Sequence, residues 1–173
     1  MSTGIEHDLD ALARETGFSG VVRVDREGAT FVKAWGLAHR GHGIPNEPDT
    51  QFAIASGTKG LTALAVVSLV ADGTLDLGTT ARSVLGADLP LIGDEVTVEH
   101  LLAHRSCIGD YFDEEAEYDI DDYVLAVPVQ ELASTEQYLS VLDGNPPKFA
   151  SDERFSYCNS GYIVLRPLIQ VLP

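Results

Sequence analysis

A chain of 173 residues with 45% hydrophobic content is long enough for one domain with a real core. Its formal net charge of −16 argues against nucleic-acid or anionic-membrane binding, because both need a basic face. The longest apolar run, near residues 63–71, falls short of the ~20 residues a bilayer demands, and residues 1–10 hold neither a basic nor an apolar leader segment, so the cytoplasm is the expected location.

Ile5, Leu9 and Leu12 recur at helical spacing and Gly17 supplies a stop, which predicts a first helix over 4–16. Two β-rich runs follow, Gly20 to Val24 and Ala29 to Leu37, separated by Asp25-Arg26-Glu27-Gly28; this is a hairpin signal. Residues 38–50 cluster Gly, Pro, Asn and Asp, cannot continue either strand, and read as a surface connection. Phe52-Ala53-Ile54-Ala55 then delivers the chain to Ser56. From there an almost wholly apolar segment, broken mainly by Thr58, Thr62 and Ser68, runs to Gly73. A helix with no wet face is expected to be central and buried.

Past Gly73 the spacing predicts a short helix with Thr79 or Thr80 near its cap, then a helix capped by Thr97, with Gly109 closing the turn that follows. His100 and His104 lie four apart, as two metal ligands on one helix face would. No third ligand follows at a suitable spacing, and no metal is expected. Residues 113–122 hold seven carboxylates but lack the sixth-position glycine of a calcium loop, so they read as a solvated acidic loop. Ser134 to Gln137 form a capping box opening a helix that ends at Gly144, and Asn145-Pro146-Pro147 breaks the chain. Tyr157-x-Asn159 opens the last helix. Cys107 and Cys158 are too few for a disulfide framework and read as buried small side chains.

The chemistry concentrates at Ser56. At the head of a helix, with Lys59 one turn on and on the same face, its hydroxyl has an amine beside it. A partly desolvated lysine can help remove a serine proton, and the free N–H groups of a helix N-terminus can receive a developing oxyanion. The same residues have a plainer reading, with Ser56 as a cap and Lys59 snorkelling to solvent. Tyr157 likewise fits a core aromatic, and Asn159 a helix cap.

Three motifs in order decide between these readings: Ser56-Gly57-Thr58-Lys59 entering an apolar helix, Leu101-Leu102-Ala103-His104-Arg105-Ser106, and Phe155-Ser156-Tyr157-Cys158-Asn159-Ser160-Gly161-Tyr162. Together they resemble the serine β-lactamase and penicillin-binding-protein family, in the branch that holds class C β-lactamases, D-alanyl-D-alanine carboxypeptidases and related esterases. The resemblance implies an α/β (α+β) fold of the β-lactamase/transpeptidase type: an N-terminal helix and β-hairpin, then a mostly helical region. The whole chain reads as one incomplete domain, with parts at 1–74, 75–145 and 146–173. It also implies that Ser56 attacks an acyl carbon, that Lys59 and Tyr157 share its proton, and that Asn159 positions Lys59 and the substrate amide. No cofactor is implied. The expected partner is a small-molecule or peptide substrate, with no nucleic acid and no membrane, and the oligomeric state is left open. His104 takes a packing or hydrogen-bonding role, and Cys107 stands where the family commonly has glycine.

The sequence also departs from the family. No Lys-Thr-Gly occurs, the family strand that carries it or His-x-Gly follows the Tyr-x-Asn helix, and Pro167 sits inside a helix that should run on. A fragment or truncated form is therefore expected. A non-catalytic binding or scaffold protein of the same fold is the alternative. β-Lactam, D-alanyl peptide and ester are not separated by these residues, although the missing export signal favours an ester or peptide over a cell-wall precursor. The acidic run lies between family motifs, beside the expected approach to the site, where it would disfavour anionic substrates.

Overall fold

The helical spacing of Ile5, Leu9 and Leu12 is realised as α1 (Ser2–Thr16). The computed structural model describes residues 2–117, 119 and 122–170, in two units that divide between Ile54 and Ala55.

In the first unit, β1 (Gly20–Arg26) and β2 (Ala29–Trp35) pair antiparallel, from Gly20 opposite Trp35 to Arg26 opposite Ala29. Glu27 and Gly28 make the two-residue turn with φ of 52° and 78°, the left-handed pair that matches strand twist in a tight hairpin. Lys33 on β2 donates to Glu6 at 3.0 Å and Asp10 at 2.9 Å on α1, and Trp35 Nε1 donates to Asp10 at 3.0 Å. The Lys33 and Trp35 hydrogen bonds hold the Asp10 carboxyl below its usual range.

The surface connection expected over 38–50 holds regular structure of its own. β3 (Leu37–His39) and β4 (Ile44–Pro45) form a second, short antiparallel pair. The Gly and Arg residues between them make the reversal, and Asn46 fastens it by donating to Trp35 O at 2.7 Å and Ser19 Oγ at 3.0 Å. Gly36 must be glycine: its φ is +69°, and a Cβ there would come within 2.5 Å of Ser19 Oγ.

In the second unit a one-turn 3₁₀ segment, Ala55–Gly57, leads into α2 (Thr58–Ala71). After it come α3 (Arg82–Leu85), α4 (Val98–Leu102), a 3₁₀ turn at Val129–Glu131, α5 (Thr135–Leu142) and α6 (Asn159–Gln170). The core is built from Val66, Ala81, Val96, Val98, Leu101, Val164 and Leu165, all fully buried. Thr97 caps α4 as predicted, with His100 completing a capping box, and Ser134 with Gln137 forms the capping box of α5. Among the described residues between 75 and 145 the regular elements are helical but short, with one isolated β-bridge of Thr80 to Thr97, and turns carry much of the chain. α6 runs through Pro167, which removes one helical hydrogen bond without ending the helix. Among the described residues no helix is long and apolar enough to cross a membrane.

α2 departs from expectation in its surroundings. Only Val66 is buried, whereas Leu61, Leu64 and Val67 are 61%, 67% and 50% exposed. Those three recur every third residue and share one side of the helix. α6 packs against α2, and the described elements of this unit leave the Leu61 side open.

Candidate active site

Ser56 lies in the 3₁₀ turn just ahead of α2, after Ala55, whose φ of 43° is left-handed and strained for a residue with a Cβ. The serine side chain does not cap the helix, for Gly57 holds the cap position without a side-chain bond. Its exposed Oγ instead accepts from Lys59 Nζ at 3.1 Å and from the Tyr157 hydroxyl at 2.7 Å. Lys59 is likewise not free to snorkel. It also donates to Asn159 Oδ1 at 2.8 Å and lies over the rings of Tyr157 (4.9 Å) and Tyr162 (5.8 Å). All four residues named from the sequence therefore meet at one point.

The start of α6 brings Tyr157 and Asn159 there. The Asn159 amide is oriented at both ends, with its oxygen on Lys59 and its Nδ2 donating to Phe112 O at 3.1 Å and Glu114 Oε1 at 3.4 Å. On the other side, Tyr162 donates to Leu102 O at 3.1 Å, which ties α6 to α4. His104 packs its ring against Tyr157 and Tyr162, with centroids at 4.6 and 5.0 Å, and its Nδ1 accepts from Cys158 N–H at 3.1 Å. Burial, followed by the nearby Lys59 charge, pushes the imidazole below its ordinary pKa, so the ring is neutral at pH 7.

Sequence reasoning missed Asp110. Its carboxylate accepts from the backbone N–H groups of Asn159 (2.6 Å) and Ser160 (2.9 Å) and from Ser160 Oγ (2.8 Å). Helix caps are sought next to the helix they cap, and this one comes from 49 residues upstream. No local pattern marks it.

Other expectations change in detail. The described part of the acidic run is tied down more than a solvated loop would be: Asp113 and Glu115 share Lys148, at 2.6 and 3.5 Å, and Ser156 donates to Glu115 at 2.9 Å. A half-buried cation between two carboxylates accounts for this. Tyr118, Ile120 and Asp121 lie outside the described residues. His100 and His104 face different partners, because His100 Nδ1 meets Ser151 Oγ at 3.1 Å. Among the described residues no group of three or more His, Cys, Asp or Glu could hold a metal ion. Both cysteines are buried and unbridged, and burial pushes the Cys158 thiol up to about 12. Cys107 has a φ of 54°, the left-handed conformation that favours glycine.

Chemically, the cluster is a solvent-accessible alcohol with an amine and a phenol in hydrogen-bond contact. It has the parts for moving a proton off a nucleophile and onto a leaving group.

A family model described as Beta-lactamase matches residues 5–172. Esterase EstB of Burkholderia gladioli is 40% identical over 107 residues, covering 58% of this chain and 27% of that protein. Penicillin-binding protein 4 of Amycolatopsis lactamdurans is 33% identical over 173 residues, covering 95% of this chain and 41% of that protein. Among solved structures, a penicillin-binding protein from Bacillus halodurans matches with a TM-score of 0.82 at 36% identity, covering 94% of this chain and 49% of that one. The chain thus spans less than half the length of each of these relatives.

Proposed function

Since this chain belongs to the β-lactamase family, we propose that it serves a serine hydrolase that opens an amide or ester through an acyl-enzyme on Ser56. The observation that carries this reading is the position of Ser56 Oγ, 3.1 Å from Lys59 Nζ and 2.7 Å from the Tyr157 hydroxyl. Ser56 Oγ attacks the acyl carbon; the reacting form of Lys59 is the uncharged amine, and the serine proton passes to it directly or through the Tyr157 oxygen, which gives up its own proton as it takes the serine's. The same pair returns the proton to the departing amine or alcohol. Water then attacks the ester on Ser56, its proton taking the same route to restore the hydroxyl. Asn159 holds Lys59 in line through its Oδ1, and the backbone N–H of Ser56, in the turn that leads into α2, is the donor offered to the developing oxyanion. No cofactor takes part in these steps. Relatives named as an esterase and a penicillin-binding protein support a small-molecule or peptide substrate.

A fluorophosphonate probe tests the proposal. Mass spectrometry is expected to map the label to Ser56, and Ser56→Ala to abolish it. Labelling that survives the substitution removes Ser56 from the mechanism. A wild-type chain that takes up neither probe nor chromogenic ester favours the second reading, a non-catalytic binding or scaffold protein.

A further inference from the structure

Three consecutive backbone N–H groups, those of residues 158, 159 and 160, are taken up by two side chains from one short stretch of chain. Cys158 N–H meets His104 Nδ1 at 3.1 Å, Asn159 N–H meets Asp110 Oδ2 at 2.6 Å, and Ser160 N–H meets Asp110 Oδ1 at 2.9 Å. The first N–H groups of a helix have no partner within it, and a local cap ordinarily satisfies one or two. Here all three are fastened from outside.

The fastening is reinforced on both sides. Ser160 Oγ donates to Asp110 Oδ1 at 2.8 Å and accepts from Tyr111 N–H at 3.1 Å, while Ser156 N–H donates to His104 O at 2.9 Å. Cys158 lies between the two residues whose side chains reach Ser56 and Lys59. A rotation of the backbone at 158 would therefore carry the Tyr157 hydroxyl and the Asn159 carboxamide off their partners.

We propose that His104 and Asp110 are positioning residues of the Ser56 site, fixing the backbone at 158–160 so that Tyr157 and Asn159 are held on Ser56 and Lys59. The proposal rests on Ser56 being the nucleophile. Neither residue touches the reacting atoms. Their effect comes through geometry, where a displacement of about 1 Å can cost ~10²-fold in rate. Nδ1 can accept only when it carries no proton, so the clamp requires the Nε2–H tautomer of a neutral ring. The groups facing that ring are Lys59 from α2, Tyr157 and Tyr162 from the α6 region, and Asp110 from its own stretch. Burial and the Lys59 charge oppose the imidazolium and outweigh Asp110.

Two substitutions separate the acceptor from the ring. His104→Asn keeps an acceptor oxygen near the Nδ1 position and suits the left-handed φ of 55°, but discards the ring. His104→Phe keeps the ring between Tyr157 and Tyr162 and discards the acceptor. The phenylalanine variant is expected to label at Ser56 about 10–100-fold more slowly, with ester KM changed less than about threefold, and the asparagine variant to stay within about threefold of wild type. The reverse order means that the ring merely packs, and overturns the proposal. Asp110→Asn, which turns an N–H donor toward a backbone N–H, is expected to slow labelling about tenfold or more; an unchanged rate removes Asp110 from the clamp.

¹⁵N NMR of the wild-type imidazole provides a readout independent of catalysis. His104 is expected to show an unprotonated, hydrogen-bonded Nδ1 and a protonated Nε2 at pH 7. A protonated Nδ1 overturns the clamp whether or not Ser56 reacts. A wild-type chain that shows the expected ring signal but never labels instead counts against Ser56 as nucleophile.

Discussion

Lys59 Nζ donates to Asn159 Oδ1 at 2.8 Å across 100 residues of chain. Because Phe112 O holds the other end of the same carboxamide, the amide cannot flip without losing both bonds. Asn159 therefore fixes where the lysine nitrogen sits relative to Ser56. If Lys59 moves the serine proton, Lys59→Met is expected to slow labelling of Ser56 by about 10²–10⁴-fold. Asn159→Leu, which leaves the amine but frees it, is expected to cost about 10–100-fold. Stopped-flow measurement of probe uptake checks both, and equal losses in the two variants would make Asn159 more than a support.

Tyr157→Phe removes the 2.7 Å hydrogen bond to Ser56 while leaving a ring to pack on His104. Acylation is expected to fall about 10²-fold with thermal stability nearly unchanged. Should Tyr157 and Lys59 serve one proton route, the Lys59→Met/Tyr157→Phe double variant loses far less than the product of the single losses. Strict multiplication of the two effects assigns them separate tasks.

The site was more legible in the sequence than its surroundings, for a physical reason. Ser56, Lys59, Tyr157 and Asn159 sit at helix starts, where spacing along the chain fixes which side chains share a face. Asp110 and His104 act on backbone groups about 50 residues away, and no local spacing encodes that distance. The apolar run after Ser56 tells which residues avoid water but not what covers them. A buried helix would put Leu61, Leu64 and Val67 in a core, whereas they lie on an open face. The breakers in 38–50 mark a reversal correctly, yet they conceal that His39 and Ile44, on either side of it, belong to paired strands.

Arg82 offers a test of the fold apart from the site. Its guanidinium donates to the carbonyls of Gly86 (2.8 Å), Asp88 (2.8 Å), Leu89 (3.1 Å) and Ile92 (2.6 Å), organising the turn that carries buried Leu89 and Ile92. An ammonium has three donors on one atom and cannot span that set. Arg82→Ala is expected to cost about 3 kcal/mol in urea unfolding and Arg82→Lys about 2. Its ion pair with Asp94 adds little, because the carboxylate is 88% exposed, so Asp94→Asn is expected to leave the midpoint where it was.

The imidazole of His104 gives stability a pH dependence whose sign follows from its environment. Its folded-state pKa lies below the ordinary 6.5, through burial first and the Lys59 charge second. In the interval between the two values the unfolded chain binds a proton that the folded chain refuses, so stability falls as pH drops through 6.5 toward the folded value. Above 6.5 the contribution is complete. Asp10, Asp25, Asp72 and Glu136, whose carboxyls hydrogen bonds hold below their usual range, respond only nearer pH 4, which separates the two effects. His104→Asn cannot take up that proton. The Tm difference between wild type and His104→Asn is expected to be largest near pH 7.5 and to narrow toward pH 5, because only the wild type loses stability to protonation there. A gap that widens on acidification would mean that the folded protein welcomes the imidazolium, and that Nδ1 is not the acceptor for Cys158.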